Sequence, residues 1–249
     1  MVVRFKVESW AALAPSLEQE GDWLKWLSAP KPIDEPLQKI PLKEIPPLLR
    51  RRFNMLGKCA MGAVLQVVKE DDRIPSIFAS RHGDTALTLS LLEEMGKDEP
   101  MSPTNFSLAV HNAVSGLYSI ARKDTSAVTS IAAMSGLVLN TLFEAVGQLQ
   151  EADRILCVVY DAPLPALYQS YCSCEPFPYA IAMILTKEQG EAYTIEQLED
   201  ASKNTPRMSD SNAELLPFMS LLTGLSSNMK IQLNNSEWVI KRQDVNASR

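Results

Sequence analysis

Residues 102–150 read SPTNFSLAVHNAVSGLYSI (Ser102–Ile120), ARKDTS, AVTSIAA (Ala127–Ala133) and MSGLVLNTLFEAVGQLQ (Met134–Gln150). A helical pattern, a short apolar strand, a sharp turn and a second helix follow one another. Strand-turn-helix elbows of this kind present a nucleophile in several enzyme families, and here the small polar residue at the turn is Ser135. Phe106, Ala109, Val110, Ala113, Val114, Leu117 and Ile120 cover most of the first helix's circumference, which predicts a helix over 102–120 buried on nearly all sides. His111, Ser115, Tyr118 and Arg122 form its polar stripe. Phe106, Ala109, Val110 and Ala113 fall at helical spacing and can share one face. The strand predicted over Ala127–Ala132 is uncharged from Thr125 to Ser135, so as a bare sheet edge it would invite aggregation.

Outward from this stretch, strands and helices alternate. Prolines 30, 32, 36, 41, 46 and 47 mark an extended surface arm at about 28–47. Pro46-Pro47 opens a helical pattern through Val68, and Ile74–Ala79 is of strand length. Thr85–Met95 is helical, Leu137–Gln150 is the elbow's helix, and Ile155–Tyr160 and Tyr179–Leu185 are apolar runs suited to a sheet covered on both faces. Thr194 and Gln197 have capping-box spacing, which predicts a short helix there. After a polar loop at Lys203–Asn212 come a helix over Ala213–Leu222 and a hairpin of Met229–Leu233 with Trp238–Lys241. This order predicts an α/β protein with a layered architecture, a single domain over residues 1–249.

Composition narrows the function. With 249 residues, 46% hydrophobic, and a net charge of −6, the chain can bury a large core but builds no basic face for nucleic acid. The one basic run, Arg50–Arg52, reads as a solvated helix face. No apolar stretch reaches the length of a membrane span, and charges at Arg4, Lys6 and Glu8 interrupt any secretory signal. Cys172 and Cys174 have a poor metal-ligand spacing, and the two histidines, His82 and His111, lie far away in sequence. The expectation is a cytoplasmic protein with reduced cysteines, no metal and no cofactor.

The chemistry of the elbow stays open at this level. A hydrolase would carry Gly-x-Ser-x-Gly, but Ala133 holds the first glycine position. Neither histidine follows Ser135 in the chain, as a hydrolase base usually would. Phosphate binding at the Leu137 helix lacks a glycine-rich loop or a lysine. A purely structural turn remains the simplest reading.

Ser102-Pro103, Asn112, Gly116 and Ile120, followed without a gap by the strand and the turn, resemble the N-terminal half of a β-ketoacyl synthase. FEAVGQLQ, ILCVVYD and YAIAMIL continue the likeness, which spans roughly Leu49–Leu198. In this register the family's nucleophilic cysteine falls on Ser135. A serine hydroxyl is not ionised near neutral pH, so the exchange cripples attack unless a base is present. The family's second half carries two catalytic histidines, and no histidine follows His111.

The resemblance is therefore to the chain length factor class, and within it to the shortened form that accompanies aryl polyene type II polyketide clusters. It implies a thiolase-like sheet layered between helices and no catalytic residue. It also implies a heterodimer with a ketosynthase that works on acyl carrier protein. Phe106, Ala109, Val110, Ala113, Thr129 and Met134 would then lie at the acyl tunnel and the subunit interface. Two other readings stay open: an acyl-transferring or decarboxylating enzyme that uses Ser135, and a homo-oligomeric scaffold without acyl substrate. Whether the chain is a homodimer when alone also stays open.

Overall fold

The computed structural model describes residues 2–172, 174–198, 214–233 and 236–243. The chain runs β1 (Val2–Leu13), α1 (Glu20–Ser28), α2 (Pro47–Arg50), α3 (Met55–Val67), β2 (Ser76–Ala79), α4 (Thr85–Gly96), α5 (Pro103–Leu108) and α6 (Ala113–Arg122). It continues β3 (Val128–Ile131), α7 (Leu137–Gln148), β4 (Arg154–Asp161), β5 (Tyr179–Thr186), β6 (Glu191–Leu198), α8 (Leu215–Leu222), β7 (Asn228–Leu233) and β8 (Ser236–Arg242). Among the described residues, the eight strands form one sheet in the order β3-β2-β4-β5-β1-β6-β8-β7. β3, β2 and β4 are parallel, and every other neighbouring pair is antiparallel.

The sheet is the middle layer of three, because side chains alternate along a strand. Ile155, Cys157 and Val159 of β4 and Ile181, Met183 and Leu185 of β5 enter a core with α7, α8 and Trp23 of α1. Leu156, Val158 and Tyr160, with Ala180, Ala182 and Ile184, enter a second core against α3 and α6. β4 and β5 are thus buried on both faces, as their unbroken apolar runs predict. Each such Ile, Leu or Val side chain contributes about 2 kcal/mol by leaving water.

β1 is absent from the sequence reading, yet it lies between β5 and β6 as the longest strand. Its charged, half-buried positions hide the strand pattern. A bulge between Val7 and Ser9 aims Glu8 at Arg154, whose Nε lies 2.9 Å from Glu8 Oε2 and whose Nη1 lies 2.7 Å from Asp72 Oδ1. Gly190, at φ +103°, turns β5 into β6 where a Cβ would lie 2.1 Å from the Val7 carbonyl oxygen. No other residue fits that approach. Helix α1 also escaped the sequence reading.

Several expectations are corrected. The predicted 102–120 helix is two, α5 and α6, separated by a turn in which His111 Nε2 reaches the Ser80 carbonyl at 2.9 Å. Its burial matches only in part: Val114 and Leu117 are buried as expected, but Phe106, Val110 and Ile120 are exposed, whereas Ser115 and Tyr118 of the expected polar stripe are buried. Ser115 is satisfied by the Asn112 carbonyl and Ser130, and the Tyr118 ring packs on Phe78 with centroids 5.3 Å apart. The helix from Pro47 breaks after Arg50 and restarts at Met55, where the Asn54 side chain accepts from the Gly57 amide. Thr194–Leu198 is not helical but belongs to β6, whose neighbours β1 and β8 override the local capping spacing. The arm has no regular element from 30 to 46, but Leu42 and Ile45 are buried in the second core and are not surface residues. The helix predicted from Ala213 is found as α8, and β7 and β8 pair as predicted. The loop predicted at 203–212 lies outside the described residues.

Candidate functional site

The parallel strands β3, β2 and β4 end on one side of the sheet, and the elbow leads from β3 into α7. Gly136 makes the turn at φ +66°, and its Cβ position would be pressed to 3.0 Å from Leu233. The left-handed backbone favours glycine, and a Cβ would in addition make the Leu233 methyls give by a few tenths of an ångström. Ser135 is exposed on the turn and Met134 beside it is 50% exposed.

The first amides of α7 point toward the crevice, as they do where an anion is bound at a helix N-terminus. They are already occupied. Val138 N–H donates to Glu214 Oε2 at 2.9 Å, and the neighbouring Gly136 and Leu137 amides lie close enough to favour the charged carboxylate. Burial raises the Glu214 pKa, and those amides oppose the shift by favouring the charged form.

A second buried carboxylate organises the wall of the crevice. Asp161, at the end of β4, accepts from Ser80 Oγ at 2.7 Å and from the Arg81 amide at 3.0 Å. Burial pushes its pKa up to about 6 despite these bonds. Ser80 Oγ in turn accepts from the Gly83 amide, so the turn after β2 is pinned to β4. Arg81, Asp161, Ala162, Cys174, Glu175, Tyr179 and Leu215 then close around a cavity of about 10 Å³. That is room for about one water molecule, not for an acyl chain.

Neither histidine serves Ser135. His111 bonds the Ser80 carbonyl, and His82 Nε2 lies 3.7 Å from Cys172 Sγ. Nor does the structure bring the other sequence-selected residues to the elbow as one helix face. Phe106 lies in α5, Ala109 caps it, Val110 lies in the turn and Ala113 opens α6. Phe106 and Val110 are 62% and 52% exposed. Thr129 sits in β3, its Oγ1 accepting from Gln148 Nε2 at 2.9 Å. Sequence reasoning missed Glu214, Asp161 and Arg81. Asp161, at the end of the apolar run ILCVVYD, is the one with a visible signal.

Among the described residues, β3 is an edge strand of the sheet, with no strand on its far side. Ser76 N–H donates to the Ala127 carbonyl and Ser80 N–H to the Ile131 carbonyl. In a parallel ladder this alternation turns residues 127, 129 and 131 toward β2. The amides and carbonyls of Val128 and Ser130 face away from the sheet. Among the described residues, no group of three His, Cys, Asp or Glu could hold a metal ion, and no helix is long and apolar enough to cross a membrane.

A three-layered mixed sheet with an elbow at the end of its edge parallel strand defines a thiolase-like, ketosynthase-type protein. The chain belongs to the β-ketoacyl synthase family: the family model "Beta-ketoacyl synthase, N-terminal domain" matches residues 23–240. Among solved structures, it is similar to a chain of the ketosynthase ApeO in complex with its chain length factor ApeC from Xenorhabdus doucetiae. The TM-score is 0.81 at 22% identity, over 96% of this chain and 100% of that one. It is also similar to the ishigamide ketosynthase/chain length factor (TM-score 0.64, 12% identity, 80% of this chain and 68% of that one). A third similar structure is AntDE:AntF, a type II polyketide synthase acyl carrier protein in complex with its ketosynthase bound to the hexaketide. There the TM-score is 0.62 at 12% identity, over 98% of this chain and 100% of that one. No curated protein matches the sequence.

Proposed function

We propose that the chain is a non-catalytic subunit of the chain length factor kind, which pairs with a ketosynthase in type II polyketide biosynthesis of the aryl polyene sort. The observation that carries this reading is the state of the elbow. Serine stands at the nucleophile position and has no histidine partner, and Glu214 holds the α7 amides that would otherwise stabilise an oxyanion. The small cavity beside Leu137 and Val138 at the start of α7 holds about 10 Å³, too little for an acyl chain. A fold can keep its architecture after its chemistry is gone.

The open β3 edge supplies the pairing surface. Its outward amides, with exposed Phe106, Val110, Val128 and Met134 nearby in sequence, offer both main-chain bonds and apolar area to a partner. The similarity to a chain of a ketosynthase in complex with its chain length factor supports this partner class. Acyl carrier protein is met by the complex, docking chiefly on the ketosynthase, because a net charge of −6 gives an acidic carrier no long-range attraction to this subunit. Phe106, Ala109, Val110 and Ala113 then help to shape the end of the acyl tunnel. The buried, reduced Cys59 and Cys157 suit a reducing cytoplasm.

The test is reconstitution. The purified chain alone is expected to elongate no acyl-carrier substrate and to co-purify from its native host with a ketosynthase, which then elongates. Elongation by this chain alone, or stable self-association without ketosynthase binding, overturns the reading.

A further inference from the structure

A second constellation lies apart from Ser135, where the segment between β4 and β5 crosses the turn after β2. Cys172 Sγ is 2.6 Å from Arg81 Nη2 and 3.7 Å from His82 Nε2. A guanidinium and an imidazole on one sulfur are what a reactive thiol needs: a cation to hold the thiolate and a base to take the proton. Arg81 belongs to the turn that Asp161 pins, so the cation is held in place. His82 is half-buried, and burial, followed by the Arg81 charge, lowers its pKa, which keeps the ring neutral and able to accept a proton. The carboxylates of Asp161 and Glu175 also face Arg81. The other cysteines differ. Cys59 and Cys157 are buried, and burial pushes the Cys59 thiol up to about 12 and the Cys157 thiol higher. Cys174 is partly exposed like Cys172 and lines the small cavity.

We propose that Cys172 is a nucleophilic thiol and a covalent modification site for low-molecular-weight disulfides, with Arg81 holding the thiolate and His82 accepting its proton. His82 Nε2 takes the Sγ proton, and the sulfur attacks one sulfur of the disulfide. The S–S bond breaks, and one half leaves as a thiolate that takes the proton back from His82. Cys172 is oxidised to a mixed disulfide, and the departing half is reduced to a free thiol by the same electron pair. None of this chemistry uses Ser135 or depends on the subunit's partner.

The experiment treats the folded, full-length chain with oxidised glutathione, quenches with acid and follows each cysteine by peptide mass. Cys172 is expected to acquire the adduct at least about tenfold faster than Cys174, with Cys59 and Cys157 unlabelled. His82→Asn is expected to slow Cys172 by at least about tenfold and leave Cys174 unchanged. Labelling of Cys59 and Cys157 would report an unfolded variant, in which case the Cys172-to-Cys174 ratio in the unmodified protein decides. Cys174 reacting as fast as Cys172, or a folded His82→Asn chain with an unchanged Cys172 rate, overturns the proposal.

Discussion

Val128→Pro separates the outward side of β3 from its inward side. The Val128 amide faces the open edge and makes no bond to β2, so its loss should change the isolated chain's stability by no more than about 1 kcal/mol. In the heterodimer, the same amide is expected to bond a carbonyl of the partner's strand. Proline removes that bond, worth about 1 kcal/mol, and strands a buried carbonyl at a further cost of about 1–3 kcal/mol. The sum of about 2–4 kcal/mol weakens the complex roughly 30- to 1,000-fold. Thr129→Pro is the complement. Its amide points to the buried Ser76, so it should lower the stability of the chain itself by about 1–3 kcal/mol. Val128→Thr keeps the amide and controls for the side chain. Urea unfolding reads the first quantity, and calorimetric titration with the ketosynthase reads the second. A folded Val128→Pro chain that binds with unchanged affinity refutes the placement of the interface.

Asp161, with its pKa raised from 3.8 to about 6, contributes stability that is present below pH 4 and lost as the pH rises through 6. Asp161→Asn should therefore gain on the unmodified protein by about 3 kcal/mol between pH 4 and pH 7. Parallel denaturation curves for the two proteins across that window would contradict the burial argument. Ser135→Cys should leave position 135 unacylated when the chain is incubated with acyl thioesters, because Glu214 still holds the α7 amides; an acyl adduct mapped to residue 135 would show that the crevice opens. Val110→Trp should shorten the products of the reconstituted pair while heterodimer formation persists. Its side chain is exposed in the free chain, so overpacking of this subunit's own core is not expected. An unchanged product mass distribution from an assembled variant would remove Val110 from the tunnel.

Local sequence determined much of the scaffold. ILCVVY and YAIAMIL read as doubly covered strands because both faces of a central strand are apolar, and that property needs no knowledge of the neighbours. The elbow was legible because Gly136 and the small residues around it can form few other structures. The tertiary structure decided what periodicity cannot encode. β1 is a strand only because β5 and β6 flank it, and Thr194–Leu198 is extended only because β1 and β8 bond it. The 102–120 segment breaks where His111 reaches the Ser80 carbonyl just after β2, and Ser115 and Tyr118 turn inward because Ser130 and Phe78 receive them. Glu214 lies 76 residues from the amide it caps, and Cys172 lies 90 residues from His82. Charge and hydrogen bonding act across a few ångströms of space, and only the folded chain sets which residues share that distance.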